Sequence, residues 1–351
     1  MTLLVRDERD IIEEHLSFHL AAGVDEVIVT DHASTDGTEE VLTRYERDGR
    51  VRVLREPDGP FRQREWVTRM ARLAASEHGA DWVINGDADE FWWPRGGSLH
   101  EVLAAVPRRY GVVQSLVRHF VPVADDGRLF QERMTHRLRP VAPVNDPASP
   151  WRPYRKVVHR AAPDVVLVEG GHAVRSDDLQ PLRGWYPIEC LHFPLRSPAQ
   201  VERKGQAWGA AVEKFYATSE VARSAGTAYH ALQHDAAVRG EAEAYFGALA
   251  LGPDDMAGGI AAGLIEEDVR VRDALREVSG LDAGGMLAFP RPTTLETASF
   301  AIDAAVLGEA DVIRTQRWLD DLERRVGRLE QTTPVRIERR LRDLARKALR
   351  R

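Results

Sequence analysis

Along the first ninety residues, short apolar runs alternate with helix-length segments, and no other feature of the chain restricts its fold as much. Residues 2–5, 27–30, 51–54 and 82–84 read as strands. Residues 10–22, a segment opening at 34–38, and residues 63–76 read as helices. Ile12, Leu16 and Leu20 fall on one face of the first helix, and Gly23 supplies its stop. Asp36 with Glu39 predicts a capping box at the start of the second. Strands that alternate with helices over short links imply a parallel sheet covered on both faces. All strands of such a sheet end on one edge, where ligands bind.

Three polar groups should meet on that edge. Arg6-Asp7-Glu8 follow the first strand, Asp31-His32 the second and Asp87-Ala88-Asp89 the fourth. Clustered carboxylates imply a cation, because unpaired buried charge is costly. The stretch "DWVINGDADEFWWP", residues 81–94, sets Asp87 and Asp89 between an apolar strand and three aromatics. Their oxygens suit Mg²⁺ or Mn²⁺, ions that keep open positions for phosphates. Glu90 is placed to orient the pair from behind. In "VTDHASTDGTEEVL", residues 29–42, an aspartate at a strand end precedes a Ser/Thr/Gly turn. Asp31 there can accept hydrogen bonds from a nucleobase or ribose, although a well-capped helix start has the same pattern. Arg62, Gln63 and Arg64 open the third helix, where cationic groups and free N–H donors suit a phosphate; a solvated helix end reads the same.

Beyond residue 95 the pattern loosens. Residues 112–116, 156–159 and 165–168 look like strands, and 139–153 like a proline-rich loop. From about residue 198 the chain reads as helical, with a glycine-rich break at 252–263 and no internal repeats. Leu319, Leu322, Val326 and Leu329 keep a 3-4-3 spacing, which suits packing within the chain or a homo-oligomer through residues 315–330. The expected division is a sheet domain at 1–215, a helical extension at 216–300 and a helical tail at 301–351. The net charge is −7, yet residues 335–351 hold eight Arg/Lys against two Asp/Glu, a local +6. That basic end suits an anionic membrane surface or a solvated helix end, while the acidic remainder opposes nucleic-acid binding. A single cysteine, Cys190, fits a reducing compartment. With no signal-peptide pattern and no apolar run near the roughly 20 residues that span a bilayer, the expectation is a cytoplasmic protein, peripheral at most at the inner membrane face.

"TLLVRDERDIIEEHLSFHLAAGVDEVIVTDHASTDGT" together with "DWVINGDADEFWWP" resembles the nucleotide-diphospho-sugar glycosyltransferases of the GT-A fold, in the family 2-like and family 92-like branch. The likeness is strong over residues 1–95 and weaker over 150–215. It implies an α/β architecture, a mostly parallel doubly wound sheet with helices on both faces, followed by a helical C-terminal region. It assigns Asp31 to the base or ribose and Glu8, beside Arg6, to the same donor pocket. Asp87 and Asp89, with Ala88 between them, match the pair that holds the metal and through it the donor diphosphate. "LHFPLRS", residues 191–197, resembles a stretch that carries a third metal ligand, here His192, with His172 the other candidate. Arg196 and Lys204 could neutralise the leaving diphosphate. His15 and His19 read as structural.

The resemblance implies a metal-dependent, inverting transfer from a nucleoside-diphosphate sugar, UDP favoured, to a hydroxyl of a glycan or glycolipid in polysaccharide biosynthesis. It leaves the base open among Glu169, Asp177 and Asp178. Trp92, Trp93, Trp151 and Trp185 could stack on a sugar or pack a core. Three rivals fit less well. A sugar nucleotidyltransferase needs a glycine-rich phosphate loop that "LLVRDERDII" lacks. An aspartate-nucleophile phosphatase carries its acidic pair at the first strand. A silent scaffold would not need the intact acidic motif and nucleotide turn.

Overall fold

The computed structural model describes residues 1–139, 154–207, 225–282, 284–289 and 294–330. Its framework is an eight-stranded sheet. Strands β1 (Thr2–Val5), β2 (Val27–His32), β3 (Val51–Glu56) and β4 (Trp82–Asp87) lie parallel in the order β3-β2-β1-β4. The sheet continues through β8 (Arg155–Arg160), β6 (Val112–His119), β11 (Ile188–His192) and β5 (Glu90–Pro94). Here β8 runs antiparallel to β4 and β6, β11 parallel to β6, and β5 antiparallel to β11. The sheet is thus mixed but mostly parallel. The reversed strands sit where the sequence loses its regular alternation.

Helices cover both faces. On one side α1 (Ile12–Ala21), α4 (Leu99–Ala104) and α10 (Arg270–Val278) share the main core with Phe91 and Trp92 of β5. On the other, α3 (Gln63–Ser76) buries Met70, Ala71 and Ala74 against Ile28, Val83 and Leu167. Leu167 belongs to β9 (Val166–Leu167), which pairs with β10 (Val174–Arg175) in a separate ribbon. A second ribbon joins β7 (His136–Leu138) to β12 (Ile265–Glu267), with the short α5 (Phe130–Arg133) before it. Past β11 come α6 (residues 198–207), α7 (Ala225–Val238), α8 (Ala242–Leu249) and α9 (Pro253–Ala261). The last helix, α11 (Thr294–Glu330), runs unbroken across residue 300, where a division was expected.

Helix α2 (Thr38–Arg47) does not open with the expected capping box. Its N-cap is Gly37, at φ +98°, and no side chain caps the helix there. The Asp36 carboxylate instead accepts from Thr38 N at 3.0 Å and from Arg9 N at 2.9 Å, tying the loop after β2 to the loop after β1. Glu39 pairs with Arg55 at 3.0 Å. A capping box does form at α4, between Ser98 and Glu101. On α11, Leu319 and Leu322 are exposed. Trp151, the 215/216 boundary and the basic residues 335–351 lie outside the described residues.

Candidate active site

Register brings the polar strand ends level. Val5 lies opposite Asp31, Leu4 opposite Asp87, and His192 opposite both His119 and Glu90. The loops that follow are laced together. Asp7, held at φ +55°, donates its N–H to Ser34 Oγ at 2.9 Å and accepts from Thr35 N at 2.7 Å. Glu8 N donates to Thr38 Oγ1 at 2.9 Å. Ser34 Oγ donates to Asp31 at 2.5 Å, and Asp31 is buried. Beside it His32 meets Phe61 and Trp66 ring to ring, and Arg6 reaches Asp58 at 3.0 Å. The start of α3 borders this aromatic group through Phe61 and Trp66, with Arg62 and Arg64 exposed.

The chain's own cations neutralise the acidic cluster. Lys156 Nζ sits 2.6 Å from Asp87 and 2.7 Å from Glu90. Lys204 Nζ lies 2.7 Å from Asp89 and 3.6 Å from Glu8. Arg196 donates to Glu8 at 2.6 Å and to Asp10 at 2.8 Å, and comes within 3.8 Å of Asp89. His192 Nε2 is 3.5 Å from Asp89 Oδ1, and its Nδ1 meets His119 Nδ1 at 2.9 Å. These partners set the protonation states. Burial alone would raise the Asp89 pKa, but Lys204, His192 and Arg196 hold it well below the usual carboxylate range. Burial lifts Glu90 to about 7, against the pull of Lys156. Burial likewise raises Asp31, outweighing its bond from Ser34.

Not every expected residue reaches this edge. Trp92 is fully buried in the core. Trp93 donates to Glu296 at 2.8 Å and stacks on Phe18, so it fastens α11 and does not line the open edge. Trp185 is half-buried against the same core. Both tryptophans of β5 are taken up because this edge strand is roofed by α1 and α11. Asp177 and Asp178 are exposed and stand three and two residues before Gln180, whose carbonyl accepts from Gly111 and Val112 at the start of β6. The active edge is at the far end of that strand, about 20 Å away at the rise of an extended chain, so neither aspartate can serve as base there. His172 is exposed, bonds the Arg155 carbonyl at 3.0 Å and meets the Tyr154 ring. Glu169 belongs to a 3₁₀ turn, Glu169–Gly171, packed beside β4 and β8. Lys156, Asp10, His119, Tyr154 and Arg203 were not anticipated. Lys156 left one trace: a lone lysine inside an apolar strand must find a partner.

Among the described residues no three His, Cys, Asp or Glu side chains are disposed to hold a metal ion. The donors still fit one in kind. Asp89 and His192 offer oxygen and nitrogen 3.5 Å apart, and Asp87, two residues before Asp89, keeps 41% of its side chain exposed.

Residues 6–158 match the family model of glycosyl transferase family 2. No curated protein matches the chain. Solved structures similar to it include TarS 1-349 of S. aureus in complex with UDP, 14% identical over 68% of this chain and 69% of that one, TM-score 0.30. The UDP-GlcNAc complex of the same protein is 14% identical over 68% and 70%, TM-score 0.32. The mannosyltransferase PcManGT of Pyrobaculum calidifontis, in complex with GDP-Man and Mn²⁺, is 16% identical over 80% and 85%, TM-score 0.30. Over residues 6–158 the chain is thus similar to glycosyl transferase family 2.

Proposed function

We propose that the chain transfers a sugar from a nucleoside diphosphate, UDP favoured, to an acceptor hydroxyl with inversion at the anomeric carbon and with help from a divalent cation. One observation carries this reading: Asp89, buried, faces His192 and Lys204 at the strand edge that also carries Asp31. Asp31, with Arg6 and the His32–Phe61–Trp66 aromatics, holds the nucleoside. Asp89 and His192 would be the main holders of Mn²⁺ or Mg²⁺, with Asp87, paired to Lys156, standing at the mouth; the ion when bound would neutralise the diphosphate. Lys204 and Arg196 hold positive charge beside that group while the nucleotide leaves. Of the three expected bases only Glu169 stands on a turn next to this edge, and it is assigned the acceptor's proton.

A thermal-unfolding panel of nucleoside diphosphates, each with and without Mn²⁺, tests the donor site. One nucleotide should stabilise the natural chain in a metal-dependent way and leave Asp89→Ala unmoved. No shift with any nucleotide would remove the reading. Glu169→Gln should keep that stabilisation and lower kcat by about 10² or more, the usual worth of a general base.

A glycan or glycolipid acceptor is part of the proposal, as is a role in polysaccharide assembly. Among the described residues no helix is long and apolar enough to cross a membrane. The +6 segment at 335–351 is proposed to bring the enzyme to anionic lipid at the inner membrane face. Deleting it should abolish binding to phosphatidylserine vesicles while donor hydrolysis continues.

A further inference from the structure

Lys156 lies on an interior strand, between β4 and β6, with 2% of its side chain exposed. A lysine there is tolerated only with close anionic partners. Among the described residues it has two, at the two ends of the Asp87-Ala88-Asp89-Glu90 turn: Asp87 Oδ2 at 2.6 Å and Glu90 Oε1 at 2.7 Å. The remaining Glu90 oxygen accepts the Asp87 N–H at 3.1 Å, which closes the triangle through the backbone. Gly171, at φ +67°, lies over the lysine stem; a Cβ there would stand 3.5 Å from Lys156 Cδ and 3.4 Å from the Asn85 carbonyl. Lys204, the partner of Asp89, is placed differently: it reaches in from α6 and is 21% exposed. One cation is therefore built into the sheet and the other stands at the open edge.

We propose that Lys156 is a positioning residue that withholds Asp87 from the divalent cation, fixing the turn from inside so that Asp89 and His192 remain the principal protein ligands. This rests on the metal-dependent reading above. A fixed positive charge beside Asp87 lowers the affinity of the edge for any second cation. The nucleoside diphosphate left after transfer, with any cation on it, would then be held only weakly by the protein and be free to leave.

The test counts bound Mn²⁺ from the loss of the electron paramagnetic resonance signal of the free ion, with MnCl₂ alone and with UDP or GDP added. Lys156→Met should bind Mn²⁺ about tenfold more tightly than the natural chain, because Asp87 is released and a repelling charge is gone. Lys156→Arg, which keeps the charge, should bind as the natural chain does. If Lys156→Met does not fold, the double variant Glu90→Gln/Lys156→Met removes the matched opposite charge and carries the same expectation. A natural chain that binds Mn²⁺ with variants that bind it no more tightly would overturn the role of Lys156 and leave the metal reading standing. No Mn²⁺ binding by any form, with or without nucleotide, would overturn both.

Discussion

At the scale of single residues, the interior holds histidines that burial keeps neutral. Desolvation lowers His15 and His159 to about 4 and His19 well below its ordinary value. In the unfolded chain they bind protons near pH 6.5. Between those values the unfolded state takes up protons that the folded state refuses, so their contribution is present above pH 6.5 and lost as pH falls toward 4. Glu90, raised to about 7, runs the other way: its contribution is full below about 4.5 and fades as pH rises through 7. His159→Gln isolates one histidine from that background. It should flatten the pH dependence of stability between 6.5 and 4 by about 1 kcal/mol per unit. Urea unfolding of both chains at several pH values checks this, and parallel curves would refute it. Residues of this kind were only half legible. The acidic strand ends stood in plain sequence, but Lys156, Arg196 and Lys204 come from distant segments. No local pattern says which acid each will meet.

At the scale of elements, the sequence pattern located helix 63–76 to the residue and found β1, β2, β3, β4 and β6, stopping all but β1 short, while it missed β11, the parallel neighbour of β6. The trimmed residues, Asp31-His32 and Asn85-Gly86-Asp87 among them, are polar because they form the site, so the feature that makes them functional hides them from a hydrophobic count. The antiparallel β5 was not read as a strand, and β8, read at 156–159, gave no sign of its direction, because strand direction is set by long connections, which leave no periodicity to read. The turn after α1 shows how tightly such joints are made. Gly23 sits at φ +103°, and a Cβ there would meet Ser98 Cβ at 3.0 Å and His100 N at 3.3 Å, in the opening of α4. Gly23→Ala combines a left-handed backbone with a steric clash and should cost more than about 1 kcal/mol. Ser98→Ala, which only removes the cap, should cost about 1 kcal/mol. Thermal unfolding should rank Gly23→Ala below Ser98→Ala, and the reverse order would mean that the α1–α4 joint is slack.

At the scale of the whole molecule, a buried charge network binds the C-terminal helices to the sheet. Glu189 on β11 accepts from Arg95 at 2.5 Å, from Arg137 at 3.2 Å and from Arg270 at 2.8 Å. Asp303 on α11 accepts from Arg95 at 2.7 Å and from Arg118 of β6. Asp268 joins Arg270 at 2.7 Å to Arg137 at 3.0 Å. Burial would raise the Glu189 pKa, but Arg270, Arg95 and Arg137 hold it well below its ordinary value. Glu189 and His192 share β11, three residues apart, so the strand that ends at the site is the one α10 and α11 grip. Asp303→Ala would leave Arg95 and Arg118 short of charge in a dry interior, a loss of about 3–5 kcal/mol for a broken buried pair. If the network makes one cooperative unit, amide hydrogen exchange in Asp303→Ala should rise together in residues 294–307, β6 and β11. Exchange that rose in α11 alone would show a helix merely resting on the sheet, and the charges beneath it would then serve the sheet and not the joint.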